Sequence, residues 1–316
     1  MNIVLLEPLG IPDEALNALA APLIAAGHSF VAHPLTHFDA ETVKQACEAD
    51  IVMLANKRLD GDVIRQLPNL KFISVAFTGV DHIGLDACKE RGIAVSNAAG
   101  YATDSVAELA MCMMIACLRN VLPCDQRCRE GGTKDGLVGT TLRGKTVGIV
   151  GTGAIGLRVA ELLKPFGCRL VASSRTEKQQ AKDLGVNYLP LDELMAVSDI
   201  VTLHVPLTEA TRNLIDARRI KLMKQNAILV NTARGPVVDA TALSIALRDR
   251  KIAGAAVDVF EKEPPIYPAH PLLNAPNVLV TPHIAYATEE SMVERAKIAF
   301  ENVSSWIAGN QINKVL

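Results

Sequence analysis

The second half of the chain places side chains capable of acid–base chemistry just after short apolar runs. Residues 228–231 end in Thr232-Ala233-Arg234-Gly235. Residues 255–259 run into 260–265, which carry Glu261 and Glu263. Residues 278–281 end in Pro282-His283. Apolar runs this short predict buried parallel strands. Ligands of an open parallel sheet bind outside the carboxyl ends of its strands, so Arg234, a glutamate and His283 are expected to converge on one crevice. An arginine forks onto a carboxylate and polarises the carbonyl beside it. A histidine titrates near neutral pH, so it can protonate a developing alkoxide and take the proton back in reverse. A glutamate bonded to the other ring nitrogen orients the imidazole. Position alone leaves that role open between Glu261 and Glu263. Each residue singly would read as structural, and only their joint occurrence points to hydride transfer at a carbonyl that bears a carboxylate.

The stretch 145–176 supplies the other half of such a reaction. It reads as strand, glycine turn, helix, strand, with Gly151-Thr152-Gly153-Ala154-Ile155-Gly156 directly after the run 147–150. In this G-x-G-x-x-G pattern Gly151 makes a tight turn and Gly153 lets a pyrophosphate reach the backbone. Gly156 lets helix and strand pack closely. The helix N-terminus then offers unpaired N–H groups and the positive end of its dipole. The second strand ends in Ser173-Ser174-Arg175-Thr176, where an NAD site would carry an acidic residue about 20 residues after the turn. Hydroxyls and a guanidinium suit a 2′-phosphate, so NADP(H) is the expected cofactor. NAD(H) is the alternative, with Arg175 facing solvent.

These elements need a scaffold, and 316 residues, 49% of them apolar, allow two domains with sizeable cores. Strands are expected at 3–6, 30–32, 51–54, 72–75 and 94–96, with helices at 13–26, 39–49, 61–67 and 85–91. That alternation predicts a parallel sheet covered on both faces, with no phosphate-binding glycines of its own. Residues 103–119 predict a helix apolar nearly all round and so buried between layers, capped by Thr103 or Asp104. Residues 120–144 show no clear period and read as an arm, over the surface or at a subunit interface. Beyond the glycine turn, strands are expected at 200–204, 228–231, 255–259 and 278–281. A last helix at 288–308 is expected to return to the first domain.

Net charge of −2 and the lack of a basic stripe argue against a nucleic-acid surface. The N-terminus does not read as a signal peptide, and the most apolar stretch, 106–118, is shorter than a membrane span. The seven cysteines are scattered without a C-x-x-C, which predicts reduced thiols and a cytoplasmic protein. Cys124 and Cys128 have no ligand cluster near them, so no metal is expected. His28, His33, His37 and His270 read as surface or loop residues. His204 reads as structural or cofactor-lining.

Over nearly its whole length the chain resembles the D-isomer-specific 2-hydroxyacid dehydrogenases. The matching blocks, in family order, are TGVDHIGLDACKERGIAVSN (78–97), SVAE (105–108), VGIVGTGAIG (147–156), LHVPLTEATRNLI (203–215), NTARGPVVD (231–239), AVDVFEKEP (256–264) and TPHIA (281–285). The resemblance implies two doubly wound parallel-sheet domains, Rossmann-like and flavodoxin-like, with a cleft between them. The catalytic domain would comprise 1–98 with 289–316, and the dinucleotide domain 99–288. It implies that Arg234 binds substrate, that Glu263 rather than Glu261 pairs with the catalytic base, and that His283 is the acid/base. It further implies that the Thr78-Gly79 amides contact the substrate carboxylate and that Asp258 lies near the nicotinamide. Cofactor contacts are expected from Gly151, Gly153, Ala154, Ile155, Gly156, Ser173, Ser174, Arg175, Thr176, His204, Pro206, Thr211, Thr232 and Ala233.

The chain departs from the family pattern at Ser174, where an acidic residue is usual. That brings it closest to the NADPH-using glyoxylate and hydroxypyruvate reductases of the family. Thr78 and Tyr286 add a hydroxyl and an aromatic ring, which points to a small polar 2-keto acid as substrate and a D-2-hydroxy acid as product. A homodimer is expected on the resemblance and on the apolar helix. The rival readings are a dinucleotide-sensing corepressor of the same fold and an adenosyl-cofactor methyltransferase. Neither requires Arg234, Glu263 and His283 together.

Overall fold

The computed structural model describes residues 1–33 and 40–316, so His37 and the start of the helix expected at 39–49 lie outside the described residues. The chain folds as two compact units, Met1–Ala102 with Ala287–Leu316, and Thr103–Tyr286. The first unit runs β1 (Asn2–Leu5), α1 (Asp13–Ala25), β2 (Ser29–Ala32), α2 (Ala40–Ala46), β3 (Ile51–Leu54), α3 (Gly61–Arg65), β4 (Phe72–Val75), α4 (Leu85–Arg91) and β5 (Ala94–Asn97). Its strands are all parallel in the order β2-β1-β3-β4-β5, the flavodoxin-like winding. Strands β3 and β4 are buried at every position, which is why they read as unbroken apolar runs.

The second unit runs α5 (Thr103–Leu118), α6 (Val121–Arg129), β6 (Thr146–Val150), α7 (Ala154–Leu163), β7 (Arg169–Ser173), α8 (Gln179–Asp183), β8 (Asn187–Tyr188), α9 (Leu191–Val197), β9 (Ile200–Leu203), α10 (Ala217–Ile220), β10 (Ile228–Asn231), α11 (Ala240–Arg248), β11 (Gly254–Val257) and β12 (Val278–Val280). The sheet is parallel, in the order β12-β11-β10-β9-β6-β7-β8. The pleat divides the core. Val147, Ile149, Ile228 and Val230 face α5 and α7, while Val150, Val201, Leu229 and Val257 face α9 and α11. The order reverses between β6 and β9, so the switch point lies where Gly151 follows one strand and His204 the other.

Two expectations are corrected. Helix α5 is buried on one face only: Ala107, Ala110, Met113, Met114 and Leu118 meet the sheet, while Cys112 is exposed and Met111 and Ile115 are half-buried. Apolar composition cannot say on how many sides a layer lies, and this helix has a sheet on one. The stretch 120–144, expected to be an irregular arm, contains α6. That helix buries no residue and has a solvated Asp125–Arg129 pair at i,i+4, so no apolar period announces it.

The final helix, α12 (Glu289–Ile307), belongs to the first unit. Thr288 and Ser291 form a reciprocal capping box at its start. Trp306 stacks on Phe72 of β4 at 4.9 Å, the Ser74 hydroxyl donates to the Ala299 carbonyl at 2.8 Å, and Asn302 donates to the Asn97 carbonyl at 2.9 Å. The core of β1, β3 and β4 is closed by Ala296, Ala299, Phe300 and Val303. Among the described residues no single helix is long and apolar enough to cross a membrane.

Candidate active site

The residues expected to carry chemistry sit in three loops after β10, β11 and β12. Asn231, the last residue of β10, is buried and ties the first loop twice. Its Oδ1 accepts from the Ala233 N–H at 3.0 Å, and its Nδ2 donates to the Arg234 carbonyl at 3.0 Å. The Arg234 guanidinium donates to the Ala233 carbonyl at 2.9 Å. Gly235 comes next because any Cβ there would collide with the backbone of Phe260 and Glu261. The arginine turn and the loop after β11 therefore touch backbone to backbone.

In that second loop the Glu263 carboxylate is held at both oxygens. The Phe260 N–H donates to Oε2 at 3.1 Å, and His283 Nδ1 lies 2.7 Å from Oε1. The two side chains are 16% and 20% exposed, shielded from bulk water yet within reach of a ligand. Glu261 lies in the same loop but pairs elsewhere, with His270. His270 is a loop residue, as expected, but not an open surface one: its side chain is 12% exposed, and its Nε2 is 2.6 Å from Glu261 Oε2.

The third loop is strained. His283 has φ of +56°, a left-handed conformation that a non-glycine residue adopts only when its surroundings impose it. Asp258 imposes it. Its carbonyl accepts the His283 N–H at 2.7 Å, and its carboxylate accepts from Thr281 Oγ1 at 2.5 Å and from the Ile284 and Ala285 N–H groups, both at 2.9 Å. Burial pushes the Asp258 carboxyl above the usual carboxylate range, against the downward pull of these hydrogen bonds and of His283. Asp258 is wholly enclosed, so the carboxylate expected near a nicotinamide is engaged by its own chain. The Tyr286 ring meets the His283 imidazole edge-on at 5.3 Å.

At the switch point Gly151 has φ of +94° and donates its N–H to the Ser173 carbonyl at 2.8 Å. A Cβ on Gly156 would run into the Gly151 carbonyl, whereas a Cβ on Gly153 would meet nothing within 4 Å. Open space thus stands where a pyrophosphate would approach the first turn of α7, beside the exposed Ala154 and half-buried Ile155. Thr232 Oγ1 is buried without a hydrogen-bond partner among the described residues, which suits a ligand contact beyond β10, next to the half-buried Ala233. Ser173, the last residue of β7, is half-buried, and Ser174, Arg175 and Thr176 after it are exposed. The nearest carboxylate along the chain, Glu177, is taken up by Lys182 at 2.6 Å. The residues present therefore fit a dinucleotide.

The remaining expected residues are placed as follows. His204 donates its backbone N–H to the Val150 carbonyl at 2.8 Å, and its Nε2 is 2.9 Å from Thr202 Oγ1. Burial holds its imidazole down to about 4, so it is neutral at neutral pH. Thr211 Oγ1 donates to the Pro206 carbonyl at 2.6 Å and closes the turn after β9. Thr78 and Gly79 follow β4 in the first unit, where the Thr78 carbonyl accepts from Asn97 Nδ2 at 2.6 Å. Sequence reasoning gave no role to Asn231, or to Tyr188, whose hydroxyl donates to Thr152 Oγ1 at 2.9 Å and accepts from the Lys178 N–H at 3.0 Å. Among the described residues no group of three or more His, Cys, Asp or Glu side chains could hold a metal ion.

Comparison with known proteins agrees with this architecture. Residues 111–285 match the family model described as D-isomer specific 2-hydroxyacid dehydrogenase, NAD binding domain. The glyoxylate reductase of Aeropyrum pernix is 42% identical over 277 residues, which span 84% of this chain and 82% of that one. Among solved structures, the TT0316 protein of Thermus thermophilus superposes over all of both chains with a TM-score of 0.89 and 35% identity. An acyclic imino acid reductase solved with NADPH and D-arginine does so with a TM-score of 0.90 and 26% identity, again over all of both chains.

Proposed function

The chain belongs to the D-isomer-specific 2-hydroxyacid dehydrogenase family, an NAD(P)-dependent oxidoreductase family, and from that premise we propose that it reduces a small 2-keto acid of the glyoxylate or hydroxypyruvate kind to the D-2-hydroxy acid with NADPH. When bound, the reduced nicotinamide supplies the hydride. Arg234 binds the substrate carboxylate and polarises the adjacent carbonyl. His283, protonated and oriented through Nδ1 by Glu263, gives its Nε2 proton to the oxygen and recovers one in the reverse direction. Thr78 and Gly79 join the carboxylate site on the strength of the sequence resemblance. The observation that carries the reading is the Glu263 carboxylate held between the Phe260 N–H and His283, because such an arrangement selects one tautomer and one direction for the imidazole.

The cofactor preference follows from Ser174, Arg175 and Thr176, exposed and without a carboxylate among them, and from Glu177 being paired with Lys182. The imino acid reductase solved with NADPH lends the same support. Thr103–Tyr286 is assigned to the dinucleotide and the other unit to the substrate side. A cytoplasmic homodimer belongs to the same proposal, supported by the free state of all seven cysteines and the open face of α5.

The test is steady-state oxidation of NADPH and NADH with glyoxylate, hydroxypyruvate, pyruvate and longer 2-keto acids, using the wild type and His283→Ala. One small 2-keto acid should turn over well, with NADPH clearly preferred. His283→Ala should lose about 10²–10⁴-fold in kcat. Comparable turnover with NADH would overturn the cofactor assignment. A near-normal kcat for the variant would remove His283 from the chemistry.

A further inference from the structure

We propose that Glu261 and His270 are positioning residues: a second carboxylate–imidazole pair that braces the loop after β11 and so holds Glu263 and the Arg234 turn in place. The residues between β11 and β12 form a connection of about 20 residues without a strand, a length that needs internal fastening. Its far half is anchored. Leu272 is buried in the core under α11, and Ser244 of that helix donates its hydroxyl to the Pro271 carbonyl at 3.1 Å. Its near half carries the chemistry at Phe260–Glu263. His270 is the tie between the halves.

The tie has three parts. The Leu272 N–H donates to His270 Nδ1 at 3.3 Å, which makes Nε2 the proton-bearing nitrogen. That nitrogen faces Glu261 Oε2 at 2.6 Å. The imidazole also meets the Phe260 ring edge-on, with centroids 5.0 Å apart and planes at 90°. Phe260 is where everything else converges: its N–H donates to Glu263, and its carbonyl abuts Gly235, next to Arg234. Glu261 is 38% exposed, so the pair contributes little stability as an ion pair. Its effect is geometric. The backbone that carries Glu263 is fixed by Glu263–His283 on one side and Glu261–His270 on the other. A displacement of about 1 Å at such a loop is enough to cost on the order of 10²-fold in rate.

The inference rests on the proposed chemistry for its kinetic reading, so the experiment has a second readout. His270→Leu and Glu261→Ala are compared with the conservative Glu261→Gln and His270→Gln, each of which keeps a hydrogen bond across the pair. The first two should lower kcat by roughly 10–100-fold, leave the dissociation constant for NADPH unchanged, and broaden or abolish the ¹⁵N-coupled signal of the His283 Nδ1 proton. The conservative variants should recover most of both. If Glu261→Ala keeps the wild-type kcat and an intact His283 signal, the brace is wrong. If the folded variants lose thermal stability while kcat and the signal stay, the pair is only a fold element and the proposal falls. If the wild type turns over no 2-keto acid, the function reading falls and the imidazole signal alone decides the brace. If His270→Leu does not fold, the partly exposed Glu261 still carries the test.

Discussion

His204 and His283 differ in what meets the imidazole ring. His283 has a carboxylate on its ring, whereas His204 is half-buried beside the Thr202 hydroxyl, and desolvation of its ring holds it down to about 4. An imidazole with that value stays neutral where a proton donor would be needed, which suits a lining role. The same shift has a stability consequence. The unfolded chain binds a proton at 6.5 and the folded chain only near 4, so stability is full above 6.5 and falls as pH drops between the two. The slope should be about 1.4 kcal/mol per pH unit in that window. Guanidinium unfolding of wild type and His204→Asn across this range should give the steeper decline for wild type, and parallel curves would refute the assignment. At this scale Arg234 and His283 stand out in the sequence because they follow predicted strand ends, whereas position left Glu261 and Glu263 open and only the family resemblance singled out Glu263. The residues that orient these side chains do not stand out. Asn231 and Asp258 act on backbone N–H and C=O groups, and no side-chain pattern in the sequence marks such partners.

The strand–turn–helix of β6 and α7 makes its own prediction, because its glycines differ in what surrounds them. At Gly153 an added methyl meets open space, so Gly153→Ala should fold with an unchanged Tm and bind NADPH more weakly, by roughly tenfold or more, since the methyl fills the pyrophosphate's approach. At Gly156 the methyl runs into the Gly151 carbonyl, so Gly156→Ala should lower Tm as well. Thermal melts and dinucleotide titrations separate the two, and equal Tm losses would contradict the difference in packing. Elements with a buried apolar run were legible to within a residue or two: β3, β4 and β10 begin and end where expected. The short helices α8 and α10, of five and four residues, were not, since so few positions establish no period. Helix α6 was hidden for a related reason, since it buries no residue and carries a solvated Asp125–Arg129 pair instead of an apolar face.

On the scale of the molecule the two units differ in continuity. Thr103–Tyr286 is one unbroken segment with core on both faces of its sheet, while the other unit needs Ala287–Leu316 to complete it. Expressed alone, residues 103–286 should show a cooperative melt, bind NADPH and run as a dimer in light scattering. Residues 1–102 alone should lack a cooperative melt, because Phe72 would lose Trp306 and the sheet would lose the α12 face. An unfolded 103–286 segment would show that its core is not self-sufficient. The late return of α12 also sets an order of events on the ribosome. The strands of the first unit belong to a sheet whose covering helix lies about 190 residues further along the chain than β5, and at about 5–20 residues per second they wait tens of seconds for it. The usual N-to-C sequence of domain maturation is thereby inverted: the nucleotide-binding half can finish while the amino-terminal sheet is still open, with the apolar face of β1, β3 and β4 as its longest-exposed surface.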